Sequence, residues 1–298
     1  MGLRDQRDWR QPVPAGSSSF ELELGGVRVR VVDLPAPWDP FVVEQYHPFA
    51  EPPGAGPAPD LVIRCRQGDE RIVVPLPPPG EMTVISIERE GPRRFRIRSH
   101  WQDGFVDLDR GEGELELTAR AWDLFGISLE NFLRVAFQLQ VIERGRFLFH
   151  AAAIIDQGRV HLFFGPSGAG KSTATEFSAP RHALSDDMVL LDVSGEEPRA
   201  WSVPFYMVFP PEERLKGAWP VAGAFRLRQA PDDRLEPLSP ARAVATVSAS
   251  VPFVHELGVP HDGLTRLVAR FCERVPVYDL HFTRSARFWD VIRAELGS

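Results

Sequence analysis

Lysine is nearly missing from this chain. Of its 34 basic residues only Lys171 and Lys216 are lysines, so almost every positive charge is a planar guanidinium. A compact ammonium is kept at Lys171, inside a glycine-rich run where a rigid fork would fit badly. Cysteine is scarce as well. Cys65 and Cys272 are too few and too far apart for a disulfide framework or a thiolate metal cage, which makes a reducing cytoplasm the expected location. No stretch offers eighteen consecutive apolar residues, and the opening MGLRDQRDWRQPVPAG lacks the apolar core of an export signal. No membrane association is expected. The formal charge of -7 has the wrong sign for neutralising a phosphate backbone, so nucleic acid is not an expected partner.

What is present suffices for one large domain or two ordinary ones: 298 residues, 43% of them apolar. Residues 1–19 end in a serine run and read as a loose arm, followed by a β-rich N-terminal domain over 20–120 and a second domain over 121–298. Short alternating strands are predicted at 20–24, 27–32, 61–65, 71–74, 82–88, 94–98, 105–108 and 115–117, punctuated by glycine turns and read as an antiparallel sheet. The proline- and aromatic-rich stretch 35–59 reads as a long surface excursion. Apolar residues at Leu129, Phe132, Leu133, Ala136, Leu139 and Ile142 recur at spacings of three and four, which predicts a one-sided helix over 128–144.

The second half carries the chemistry. A strand at 147–155, a tight Asp156-Gln157-Gly158 turn and a strand at 159–164 predict a hairpin that runs straight into a glycine loop. Because the strand before the loop pairs with its immediate predecessor, the sheet should be mixed rather than purely parallel. Helices are expected at 171–177, from Pro240 to about 249 with Ser239 as N-cap, at 264–274 and at 286–296, and strands at 188–193, 224–229 and 277–282. The interval 204–220 yields no assignment.

The loop itself is Gly165-Pro166-Ser167-Gly168-Ala169-Gly170-Lys171-Ser172-Thr173, matching G-x-x-x-x-G-K-[ST] between a strand and a helix. Its glycines let backbone N–H groups converge on phosphate oxygens, while Lys171 would reach the β- and γ-phosphates and Ser172 would offer a hydroxyl to Mg2+. Asp186, fifteen residues after Lys171, is followed by Asp187 and an apolar strand. Such a pair suits a solvated turn; beside a phosphate loop it suits division of labour, one acid on magnesium and the other taking a proton. His150, fifteen residues before Gly165, reads alone as a core histidine, and across the hairpin as a group in reach of the γ-phosphate. His161 and His182 flank the site without an assigned role.

His150-Ala151-Ala152, the hairpin, GPSGAGKST and Ser185-Asp186-Asp187, in that order, resemble the HPr kinase/phosphorylase group. A fainter likeness continues through Ala224-Phe225-Arg226-Leu227, Leu238-Ser239-Pro240 and VPVYDLHFTRSARFWDVI, so the resemblance runs from about Phe147 to the C-terminus. It implies an α/β domain of the phosphoenolpyruvate carboxykinase-like P-loop type, with Asp186 as general base, Asp187 on the magnesium side and His150 as a γ-phosphate partner. The implied activity is Mg-ATP-dependent transfer of the γ-phosphoryl to a serine-type hydroxyl of a peptide, protein or small molecule. Similar stand-alone relatives occur beside clusters for modified peptides. An ATP-binding regulatory protein without transfer activity and an NTP hydrolase stand as alternatives, and a homo-oligomer is left open. Arg226, Arg228, Arg266, Arg270, Arg284 and Arg287 are candidate clamps for the charge that develops in transfer. Phe205, Tyr206 and Phe209 are candidate covers for a base or substrate.

Overall fold

The computed structural model describes residues 17–35, 39–52, 54, 56–78, 84–119, 121–205, 209–210, 213–253 and 261–297. Of the arm expected over 1–19, residues 1–16 lie outside the described residues, and the last three begin the first strand. Among the described residues the chain divides into two compact units, one extending to Phe137 and one starting at Gln138.

The first unit is built from β1 (Ser17–Leu24), β2 (Val27–Pro35), α1 (Asp39–Tyr46), β3 (Ala50–Glu51), β4 (Leu61–Gln67), β5 (Ser86–Arg89), β6 (Arg94–Ser99), β7 (Gln102–Asp107) and β8 (Glu112–Leu117). Helix α2 (Trp122–Ile142) follows, starting earlier than its periodic core implies, and the division between units falls within it. The strands form one sheet in the order β3-β1-β2-β4-β8-β7-β6-β5. It is mixed, not antiparallel as expected, because β2–β4 and β4–β8 run parallel. The chain leaves β2 through α1 and β3, and leaves β4 through the β5–β7 meander, and each detour returns it in the same direction.

The stretch 35–59 is not a plain surface excursion either. It holds α1 and β3, and two of its aromatic residues are core: Tyr46 stacks on Phe20 with ring centroids 5.6 Å apart, and Phe49 is buried. The strand expected at 71–74 does not form. Pro75, Pro77 and Pro78 follow it and lack N–H donors, and the segment is tied instead by single bonds, the Val73 N–H to His100 O (2.8 Å) and the Thr118 hydroxyl to Arg71 O (2.6 Å). The strand expected at 82–88 is described only as β5; Met82 and Thr83 lie outside the described residues.

Alternation explains the arginines of this unit. Along β6 the residues Phe95, Ile97 and Ser99 face inward, while Arg94, Arg96 and Arg98 face out and pair with Asp107 (3.7 Å), Asp103 (2.7 Å) and Glu88. Fully buried Glu21 is held by Arg30 (2.6 Å) and Arg28 (3.0 Å). Burial alone would raise its pKa; the Gly54 amide and the two guanidinium groups bring it below the usual carboxylate value.

The second unit contains β9 (Arg146–Asp156), β10 (Arg159–Phe164), α3 (Lys171–Glu176), β11 (His182–Ser185), β12 (Met188–Asp192), β13 (Arg199–Ser202), β14 (Ala218–Gln229), β15 (Arg234–Pro237), α4 (Pro240–Ser248), α5 (His261–Arg274), β16 (Val277–Phe282) and α6 (Phe288–Leu296). The expected hairpin is β9–β10, joined by Gln157 (φ 50°) and Gly158 (φ 76°), a two-residue turn with both φ angles positive. Ser239 occupies the N-cap of α4 with Pro240 behind it, although its side chain makes no capping bond.

The sheet is mixed, as the hairpin implies, in the order β10-β9-β12-β13-β14-β16-β15 with β11 also on β9. β14 is the longest strand. Its start pairs with β13, its middle runs parallel to β10 and its end runs parallel to β16. Pairings therefore lead from β10 through β9, β12, β13 and β14 back to β10, a closed ring. Short β11, β13 and β15, absent from the sequence reading, complete this sheet. One face packs Ala152, Ile154, Phe163, Phe225, Leu227, Tyr278 and Leu280 against Ala174 of α3 and Phe288, Trp289 and Ile292 of α6, which places α3 firmly at the end of β10.

Candidate functional site

β9 is the strand that brings the sequence candidates together. Its first half, ending at His150, pairs with β12, and its second half carries β10 on one edge and β11 on the other. β11 and β12 thus occupy one edge of β9 in succession, with Ser185 opposite Ala153 and Met188 opposite His150. Asp186 and Asp187 are the break between them. The Ala151 N–H donates to Asp187 O (2.9 Å), and Ala151 on its other edge faces Phe164, the residue before the glycine loop. A single strand, with spacings of about 4.8 Å on each side, therefore separates the acid pair from the start of the loop.

The break is held by Ser185, a motif residue to which sequence reasoning gave no role. Its buried hydroxyl accepts the N–H groups of Asp187 (3.2 Å) and Met188 (3.0 Å), a side-chain turn at the point where the strand breaks. The signal was visible as a serine immediately before paired acids. Asp186 and Asp187 are both half-buried. Asp187 Oδ1 lies 3.3 Å from His150 Nδ1, so the histidine and the second acid form a pair on a partly exposed surface.

The loop needs its glycines. Gly165, Gly168 and Gly170 have φ of 151°, 76° and 110°, and a Cβ on Gly170 would lie 2.6 Å from the Phe282 ring. Pro166, Ser167, Gly168 and Ser172 are exposed, Ala169, Gly170 and Thr173 half-buried. The Ala169 N–H bonds Pro166 O (3.1 Å), the Ala174 N–H opens α3 on Gly170 O (2.8 Å), and Gln229 Nε2 donates to Gly168 O (3.0 Å).

Half-buried Lys171 donates from Nζ to Gly165 O at 3.2 Å, which occupies one of its three N–H donors. Burial lowers its pKa below the ordinary lysine value, and the charge of Asp187 acts in the opposite sense. Loop, lysine, His150 and Asp187 are therefore one electrostatic neighbourhood. Its oxygen donors, the Ser172 hydroxyl and the Asp187 carboxylate, suit a hard cation that keeps most of its remaining ligands from phosphate and water, and the free donors of Lys171 suit an anion. Among the described residues there is no cluster of three or more His, Cys, Asp or Glu that would make a self-sufficient metal cage.

The arginine candidates separate. Arg226 is bonded through two nitrogens to Asp279, with Arg228 (3.6 Å) and Arg242 (3.4 Å) around the same carboxylate. Arg270 donates to Ser194 O (3.3 Å), and Arg287 lies 3.7 Å from Asp233. Arg266 is exposed on α5. Arg284 is exposed, has no carboxylate partner among the described residues, and lines a cleft of about 240 Å³ beside Gly170 and Thr173. Gln229, also on this cleft, was not among the sequence candidates. Phe205 is buried core, Phe209 is half-buried, and Tyr206 lies outside the described residues. His161 is buried against Phe225 and Trp289, and exposed His182 contacts Glu213 O at 3.2 Å.

These features define a mixed α/β protein with a lysine-bearing glycine loop, strung between a hairpin strand and a short helix, beside an acid pair. The chain belongs to the family described as SynChlorMet cassette protein ScmC, whose family model matches residues 116–296. It is also similar to a protein named protein-L-isoaspartate O-methyltransferase from Methylorubrum populi (strain ATCC BAA-705 / NCIMB 13946 / BJ001), 35% identical over 94 residues. That match covers 29% of this chain and 40% of the relative, so the chain spans about two fifths of the length of the relative it matches. Among the described residues no helix is long and apolar enough to cross a membrane.

Proposed function

We propose that this protein is a Mg-ATP-dependent phosphotransferase of the HPr kinase-like, phosphoenolpyruvate carboxykinase-like P-loop type, acting on a serine-type hydroxyl. The observation that carries the reading is the convergence at β9: the glycine loop with Lys171 on one edge, Asp187 on the other, and His150 of β9 itself paired with Asp187. In this reading the loop amides and Lys171 hold the triphosphate, with Ser172 and Asp187 as the protein's oxygen donors to Mg2+. When bound, that ion would neutralise charge on the β- and γ-phosphate oxygens. Asp186 accepts the proton of the acceptor hydroxyl as its oxygen bonds the γ-phosphorus and the bond to the β,γ-bridging oxygen breaks, releasing ADP. His150, positioned by Asp187, donates toward the γ-phosphoryl oxygens.

The acceptor in this reading is a serine on a peptide encoded in the same cassette. The cassette named by the family, and the resemblance to kinases found beside modified-peptide clusters, support that choice. The test is transfer from γ-labelled ATP to hydroxyl-bearing peptides from the cassette. Wild type should label one of them, and Asp186→Asn should lose about a hundredfold or more in rate while still binding ATP. A variant as active as wild type would remove the general base. Binding without transfer to any peptide would favour the regulatory alternative, and phosphate release without an acceptor the hydrolase.

A second reading takes its support from the relative named as a methyltransferase. Under it the glycine loop would hold a sulfonium cofactor, whose positive charge gains nothing from the half-buried ammonium of Lys171. Methyl transfer from S-adenosylmethionine to isoaspartyl peptides, with no dependence on ATP, is the result that would favour it.

A further inference from the structure

The order of strands gives the triphosphate a direction. β10 ends in the glycine loop and stands between two neighbours of different character. On one side is β9, carrying His150 and, across it, Asp187. On the other are β14 and β16, which both run parallel to β10. The carboxyl ends of these three parallel strands come together at the loop: Gly165 after β10, Gln229 at the end of β14 with Ala230 after it, and Thr283 and Arg284 after β16. The crevice outside the carboxyl ends of parallel strands is where ligands of α/β sheets settle. Here it is the cleft of about 240 Å³ bounded by Gly170, Thr173, Gln229, Ala230, Thr283 and Arg284.

Three features mark this cleft as a ligand site. Its floor touches the loop itself, since Phe282 lies against Gly170 and Gln229 Nε2 bonds Gly168 O. Thr283 is fixed by Asp233, which accepts from both its N–H (2.6 Å) and its hydroxyl (3.1 Å), so that rim is rigid. Arg284, next in the chain, has no internal partner among the described residues and is available to a ligand. The reacting groups all lie on the opposite side of β10.

We propose that the cleft takes the nucleoside half of the nucleotide. The γ-phosphoryl then points toward β9 and the acid pair, and the ribose and base lie between the ends of β14 and β16, with Arg284 and Gln229 as their contacts. The inference rests on the triphosphate reading of the loop and holds whether or not a phosphoryl group is subsequently transferred.

Calorimetric titration of the full chain with Mg-ATP and, separately, with inorganic tripolyphosphate and Mg2+ tests it. Wild type should bind ATP at least about tenfold more tightly than tripolyphosphate. Arg284→Ala, and Ala230→Trp, which fills the cleft, should each remove about tenfold of ATP affinity and leave tripolyphosphate unchanged. Equal affinity of the two probes for wild type overturns the nucleoside pocket and leaves the phosphate loop standing. ATP affinity unchanged in both variants, or both probes weakened in parallel by both variants, also overturns it. Failure of both probes to bind overturns the phosphate reading and the pocket together.

Discussion

At the residue scale, an ion's value depends on what surrounds it. Lys171 is one of two lysines among 34 basic residues, and it is half-buried in a loop that leaves it donors to spare. Arg226 looks equally suited to phosphate in the sequence, yet it is committed to Asp279, which is 4% exposed. His161 illustrates the same rule. At 3% exposure, stacked on Phe225 and edge-on to Trp289, it is core, and burial pushes its pKa down to about 4 from an ordinary 6.5. The unfolded chain therefore binds the proton more readily than the folded one, and stability falls as pH drops from 6.5 toward 4. The loss across that window should be about 3 kcal/mol. Urea unfolding at pH 7 and pH 4.5 should show a smaller drop for His161→Phe than for wild type, and parallel drops would show that this histidine is not buried neutral.

At the element scale, the site depends on an interruption. β11 and β12 would be a single strand along β9 were it not for Asp186 and Asp187, and the Ser185 hydroxyl holds the break by accepting two backbone N–H groups. Ser185→Ala leaves those donors without their acceptor in a buried position, at a cost of about 1–3 kcal/mol. On the proposed reading it should lower both the unfolding midpoint and the transfer rate, while ATP affinity, assigned there to the loop on the other edge of β9, should change little. Equal losses of rate and ATP affinity would mean that the acid pair and the loop do not act as separate parts.

The same scale shows what could be read in advance. β9, β10, α3 and β16 were legible because alternation, a tight turn and a glycine loop are local signals. β13 (Arg199–Ser202) and β15 (Arg234–Pro237) were not, since four residues of mixed polarity form strands only against β14 and β16, which lie elsewhere in sequence. The parallel pairings of β4 were hidden for the same reason. Alternation states which residues face inward, not the direction of the neighbour.

At the scale of the whole molecule, the sequence announced the ingredients and the sheet supplied the arrangement. His150, Lys171 and Asp187 were legible as motif residues, but that β9 sets the acids and the loop on its two edges follows from register. Arg284 could not be singled out among the arginines, because what distinguishes it is its place on the cleft beside Gly170 and Thr173, which only the fold brings together. The most direct measurement is calorimetric titration of Mg-ATP into wild type and Lys171→Ala. The account predicts a saturable heat for wild type and none for the variant with its fold intact by circular dichroism; no heat from wild type, or the same heat from both, would contradict it.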